Sequence, residues 1–262
     1  MLIIVYSNDM AKHNFIGIGL VAITVIASLS WGHIKHPTIS SITKTVDVTN
    51  VVSGQEVKLS FKESYSTTDP NSIWVIANKK LALPNGFAPS DLVVPNVILR
   101  LENTSEQMQV RLVIKADLEA MFAAAKKEGH SLMLSSGYRS VAYQKSLYDG
   151  YVATQGLASA DRSSARPGHS EHQTGLAFDV EPSDKRCELL QCFGDTPEGI
   201  WLAKHSSEYG FIIRYGKDQE QLTGYEYEPW HLRYVGKNLA SELVNTKKTL
   251  EQYFDLEPAS KY

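Results

Sequence analysis

The chain has 262 residues, 26 Lys and Arg against 29 Asp and Glu, and a formal net charge of −3. With 43% hydrophobic and 10% aromatic residues it can bury a proper core, which excludes wholesale disorder, and the near-neutral charge balance argues against a nucleic-acid binder, which would show a basic patch or stripe. Two cysteines are too few for a scaffold built on disulfides.

No Lys, Arg, Asp or Glu lies between Lys12 and Lys35, and Phe15–Leu29 is almost wholly apolar. A secretory signal has a basic start, an apolar run of about 7–15 residues and small residues at the cut. Phe15–Ile26 followed by Ser28 and Ser30 fits that pattern loosely. A membrane anchor needs about 20 apolar residues, and Asn14–Gly32 is just long enough. Residues 1–34 are therefore expected to be a signal peptide or membrane anchor, which puts the rest outside the cytoplasm, secreted or attached to the cell membrane. Asp9 and the lack of any basic residue before Met10 make Met10 a rival start to Met1. Residues 35–72 turn to Thr, Ser, Val and Lys. Thr45–Val48 and Glu56–Phe61 alternate as strands do, and Tyr65–Ser72 reads as a loop around Asp69-Pro70-Asn71. A linker or small β appendage is expected here.

The globular part is expected over 73–258. Trp74–Ala77 suits a short strand, and Pro84, Asn85, Gly86, Pro89 and Pro95 make the next stretch an irregular wrap. Arg111–Gly129 has Leu112, Leu118, Met121, Phe122 and Ala125 at helical spacing, with Gly129 at the end. A strand over Ser131–Ser136, a helix over Val141–Gly156 and a helix over Trp201–Tyr209 stopped by Gly210 follow. Phe211–Tyr215 is a strand, and Gly236–Phe254 a closing amphipathic helix with Leu239, Leu243 and Leu250 on one side. Helices and short strands alternate without regular βαβ spacing, so the class expected is α+β.

Three clusters carry chemistry: Ser136-Gly137-Tyr138-Arg139-Ser140, the run from Gly168 to Asp179, and Glu228-Pro229-Trp230-His231. Each residue alone has an ordinary reading: a solvated His, a capping Asp, a surface Arg. Together they suggest a hydrolytic metal site, which takes three ligands from His, Asp or Glu and leaves a position for water. His172 and Asp179 stand seven apart, with Gly175 between them to permit a sharp turn or close approach, and His231 is the third candidate. Glu228, three residues before His231, is placed to act as general base. Arg139 follows a buried strand, where a guanidinium can bind a carboxylate or a developing oxyanion, and Gln144 would lie near it on the first turn of the next helix. In an exported chain a disulfide is the natural reading of Cys187 and Cys192, although spacing leaves the pairing open.

With Ser-x-His-x-x-Gly-x-Ala-x-Asp, Glu-Pro-Trp-His and Ser-Gly-Tyr-Arg-Ser in this order, Ile73–Phe254 resembles the VanY-type D-alanyl-D-alanine carboxypeptidases. These belong to the zinc peptidase group that also holds lysostaphin-like enzymes and the hedgehog signalling domain. The resemblance implies a small antiparallel central sheet flanked by helices, with one zinc ion per chain on the sheet, held by His172, Asp179 and His231. It implies Glu228 as catalytic base, Arg139 as the partner of the scissile carbonyl, and Ser170 and Gln144 as contacts to the terminal D-residue. The expected substrate is a peptidoglycan stem peptide losing its C-terminal D-alanine, the expected partner surface is the cytoplasmic membrane, and a monomer without nucleic acid is expected. An L,D-carboxypeptidase of tetrapeptide stems, a D,D-dipeptidase and a non-catalytic zinc-containing wall-binding module are the competing readings.

Overall fold

The computed structural model describes residues 65–262. The expected export segment and the linker up to residue 64 lie outside the described residues. Among the described residues no helix is long and apolar enough to cross a membrane.

The elements are β1 (Leu92–Val93), β2 (Val110–Arg111), α1 (Leu112–Lys127), β3 (Leu132–Ser136), α2 (Val141–Gln155) and α3 (Leu157–Ser163), then β4 (Ala177–Pro182), α4 (Pro197–His205) and β5 (Phe211–Tyr215). A short α5 (Glu220–Thr223), β6 (Glu228–Tyr234), α6 (Lys237–Thr246) and α7 (Leu250–Tyr253) complete the chain. Four strands form one antiparallel sheet in the order β3-β4-β6-β5, and β1 pairs with β2 in a small second ribbon. The α+β expectation and its small antiparallel sheet are met.

The main core lies under α1, α4 and the sheet. Helix α1 buries Ile114, Leu118, Met121, Phe122 and Ala125, each of the four larger side chains adding roughly 1.5–3 kcal/mol if fully removed from water. Leu112, assigned to that face by its spacing, is instead 57% exposed at the first turn. Phe178 and Val180 point from β4 into this core, where Phe178 meets the Phe211 ring edge-on. Strand alternation therefore turns Asp179 and Glu181 to the opposite face.

Three expected elements differ. The helix expected over Trp201–Tyr209 starts earlier, at Pro197 behind the Thr196 cap, and ends at His205, with a 3₁₀ turn over Ser206–Tyr209 leading to Gly210. Trp74–Ala77 is buried but forms no strand. The carbonyls of Ile73 and Val75 accept hydrogen bonds from the Arg233 guanidinium, and Ile76 N donates to Thr67 O, so these backbone groups are satisfied without a ladder. The closing helix is two helices, because Lys247 takes a left-handed conformation (φ 55°) and Thr249 opens α7 with a capping box to Gln252. Leu239, Leu243 and Leu250 still share one cluster with Trp74.

Candidate functional site

Asp179 and His231 are direct partners in the β4–β6 ladder, so their side chains rise from the same face of the sheet. His172 comes from a 3₁₀ turn, Glu171–Thr174, capped by Ser170, whose hydroxyl accepts from His172 N. Gly175 ends that turn with φ 65°, where a side chain would be strained, and returns its N–H to His172 O. A Cβ there would also stand 2.9 Å from Arg111 Cγ, so both the turn and the close approach expected of this glycine are present.

Regular alternation would put Glu228 and His231, three apart, on opposite faces. The register with β5 skips: Ile213 pairs with Leu232 and Tyr215 with Glu228, so β6 advances four residues while β5 advances two. This bulge, centred on Pro229 and Trp230, turns Glu228 back to the His231 side, with its Oε2 3.8 Å from His231 Nδ1.

His172 Nε2 and His231 Nδ1 lie 3.4 and 3.2 Å from Asp179 Oδ1, and the three ligand atoms stand within 4.8 Å of one another. His172 Nε2 and Asp179 Oδ1 are buried without a hydrogen-bond partner among the described residues. His172 Nδ1 sits 2.7 Å from Gly137 O, which fixes the proton there and leaves Nε2 as the free lone pair. Two imidazoles, one carboxylate and orphaned atoms converging on one point fit a divalent cation such as zinc. Burial pushes the His172 ring down to about 4, with Arg139 adding to the effect, so it is neutral and fit to ligate. Burial also opposes the Asp179 charge, but His172, His231 and Arg139 outweigh it and hold the carboxyl well below its usual range. For His231 burial favours the neutral ring, yet Asp179 and Glu171 raise it to about 9, so a cation binding there competes with a proton. Burial lifts Glu228 to about 8.

Arg139 donates from Nη2 to Asp179 Oδ2 (3.4 Å) and from Nη1 to Gln144 Oε1 (3.2 Å). Gln144 is itself buried, its amide donating to Ser164 Oγ and Ala165 O. In this structure Gln144 thus steadies Arg139, and Ser170 caps the His172 turn. All seven site residues foreseen in the sequence line one cleft of ≈ 950 Å³. Leu189, Leu190 and Gln191 form part of its wall, inside a loop closed by a Cys187–Cys192 disulfide.

Sequence reasoning missed Glu171. It is fully enclosed beneath His231, accepting from Arg214 Nε (2.9 Å) and Arg233 Nη1 (2.8 Å). Burial disfavours its charge, but Arg233, Arg214 and His231 hold it well below the ordinary carboxylate range. The available signal was Arg214, a charge inside the otherwise apolar run Phe211–Tyr215, and Arg233 between Leu232 and Tyr234; both demand buried partners.

Gly137 is a second close approach: a Cβ there would stand 2.3 Å from the backbone oxygen of Gln109. Gly137→Ala is expected to cost about 1–3 kcal/mol and to displace the carbonyl that orients His172. Thermal denaturation together with zinc content per chain checks this, and an unchanged melting point with full zinc would contradict it.

Residues 107–237 match the family model described as VanY: D-alanyl-D-alanine carboxypeptidase. The chain is 46% identical over 187 residues to YodJ of Bacillus subtilis (strain 168), covering 71% of this chain and 68% of that one. Among solved structures it is similar to the LdcB LD-carboxypeptidase, with 44% identity and a TM-score of 0.67, over 74% of this chain and 89% of that chain. It is also similar to a mutant of the vancomycin-resistance D,D-pentapeptidase VanY from a VanB-type cassette in complex with Zn(II). That match has 30% identity and a TM-score of 0.57, over 68% of this chain and 97% of the other.

Proposed function

The chain belongs to the VanY D-alanyl-D-alanine carboxypeptidase family, and on that premise we propose a zinc-dependent enzyme that removes the C-terminal D-alanine from peptidoglycan stem peptides outside the cytoplasmic membrane. Residues 73–258 form its catalytic domain, and 1–34 export or anchor it. The observation that carries this reading is the convergence of His172, Asp179 and His231 beside Glu228 and Arg139 in one cleft.

His172, Asp179 and His231 would hold a zinc ion, which would supply Lewis-acid polarisation of the scissile carbonyl and lower the pKa of a nearby water towards about 7. The positive charge of a cation beside it would offset the burial that raises Glu228, so that its carboxylate accepts the proton of the attacking water and passes it to the departing amine, and D-alanine leaves with a neutral amino group. Arg139, held in place by Gln144 and Asp179, donates hydrogen bonds to the carbonyl oxygen as it gains negative charge. Its Nε is buried without a partner among the described residues, a donor still unused. Ser170 and Gln144 border the space where the terminal D-residue is received.

The second reading, an L,D-carboxypeptidase of tetrapeptide stems, has its own support in the 44% identity to LdcB, against 30% to the D,D-pentapeptidase. One assay tests both: the zinc-loaded protein is incubated with a pentapeptide ending in D-Ala-D-Ala and, separately, with the tetrapeptide, and products are followed by mass. Loss of one alanine from the pentapeptide, stopped by a chelator, is the expected result. Cleavage of the tetrapeptide alone moves the enzyme to the L,D class with the same chemistry. No cleavage of either by zinc-loaded protein overturns the carboxypeptidase reading in favour of a wall-binding module.

A further inference from the structure

We propose that Glu171 is a positioning residue for His231, accepting the ring's Nε2 proton and so presenting Nδ1 to the metal, an inference that rests on the zinc reading above. A neutral imidazole carries one proton, and ligation through one nitrogen puts that proton on the other. His231 turns Nδ1 towards Asp179, so its Nε2 must donate, and a buried N–H without an acceptor is costly. The atom facing Nε2 is Glu171 Oε2, 3.5 Å away. Both atoms are buried, and neither has another hydrogen-bond partner among the described residues. A shift of about half an ångström closes the pair to ordinary hydrogen-bond length.

The carboxylate is anchored for this task by its other oxygen. Glu171 Oε1 takes both Arg214 Nε and Arg233 Nη1. Arg233 is held in turn by the carbonyls of Ile73 (3.0 Å) and Val75 (2.7 Å). Arg214 is held by two bonds to Glu251, which also accepts from Asn78 Nδ2. Two negative and two positive charges cancel within this buried tetrad, so its charge is balanced before His231 is considered. A tetrad serving the fold alone would spend both Glu171 oxygens on guanidinium groups, as Glu251 spends both of its own on Arg214. Instead Oε2 is left aimed at the ring. His172 is oriented differently, by the neutral Gly137 carbonyl.

The test uses the full chain. Zinc affinity is measured by competition with a chelating dye for the parent, Glu171→Gln and Glu251→Gln, and the histidine-ring protons of the zinc-loaded parent are followed by NMR. The expected result is a slowly exchanging Nε2 proton on His231 in the parent, and zinc binding about 10–100-fold weaker in Glu171→Gln. Glu251→Gln breaks the same tetrad without touching the ring, so it is expected to melt earlier while holding zinc as tightly as the parent. Parent-like affinity in Glu171→Gln, or an equal loss in Glu251→Gln, would overturn the positioning role and leave the zinc reading standing. If Glu171→Gln does not fold, the parent spectrum decides: no protected His231 Nε2 proton means no such role. A parent that binds no zinc removes the metal reading itself, and this role with it.

Discussion

A Glu228→Gln protein is expected to hold a full complement of zinc and to turn over its substrate about 10²–10⁴-fold more slowly than the parent. The amide has the shape of the carboxyl but cannot take a proton. Glu228 stands beside the ligand triad and is not one of the three converging donors, so metal content should be unaffected. The same substitution has a pH signature in metal-free protein. Burial raises the folded carboxyl from 4.5 to about 8, so the native state binds this proton more tightly than the unfolded chain does. Through this group, the parent loses stability as pH climbs from about 4.5 to about 8. Glutamine has no charge to bury, and the variant should melt above the parent at pH 8 while the gap closes towards pH 5. Parent-rate cleavage by fully zinc-loaded variant would refute the role of Glu228, and kcat with zinc stoichiometry measures it directly.

The largest loss of stability is expected from Arg214→Met. Arg214 is 1% exposed in its side chain and bonds Glu171 once and Glu251 twice. Removing it leaves Glu251 buried with only the Asn78 amide and Glu171 with Arg233 as its one guanidinium, a defect of about 3–5 kcal/mol, which lowers the melting point of a domain this size by roughly 10 °C. Thermal denaturation of metal-free protein reads this without reference to activity. Replacing Arg214 and Glu251 together by apolar residues should cost less than the sum of the single changes, since the pair leaves no stranded partner. A single-variant melting point within a degree or two of the parent would mean that the tetrad contributes little.

Strand β5 was legible to within a residue because its cue is local, an apolar run behind Gly210, and α2 was placed as closely, its first turn capped in the structure by the Ser140 hydroxyl. The three motifs named the residues that gather in the cleft, but not how they come to share a face. Glu228 and His231 have the wrong spacing for one side of a strand, and only the bulge at Pro229-Trp230 reconciles them. Glu171 was hidden among polar neighbours because its partners lie 43 and 62 residues further on. Periodicity carries no information about pairings of that range. The break at Lys247 was missed for a related reason: Leu243 and Leu250 keep helical spacing across it, so the pattern runs on where the backbone does not.

The order β3-β4-β6-β5 places β4 and β6 on the inside of the sheet, each bonded to a strand on both sides. Two of the three candidate ligands, Asp179 and His231, ride on these inner strands, and amides paired on both sides are expected to be among the last in a domain to open to solvent. The wall of the cleft at Leu189–Gln191 belongs to a surface loop instead. The candidate ligands and this part of the cleft wall thus stand on elements of unequal permanence, and substitutions in the loop can reshape the cleft while leaving the ligand strands untouched.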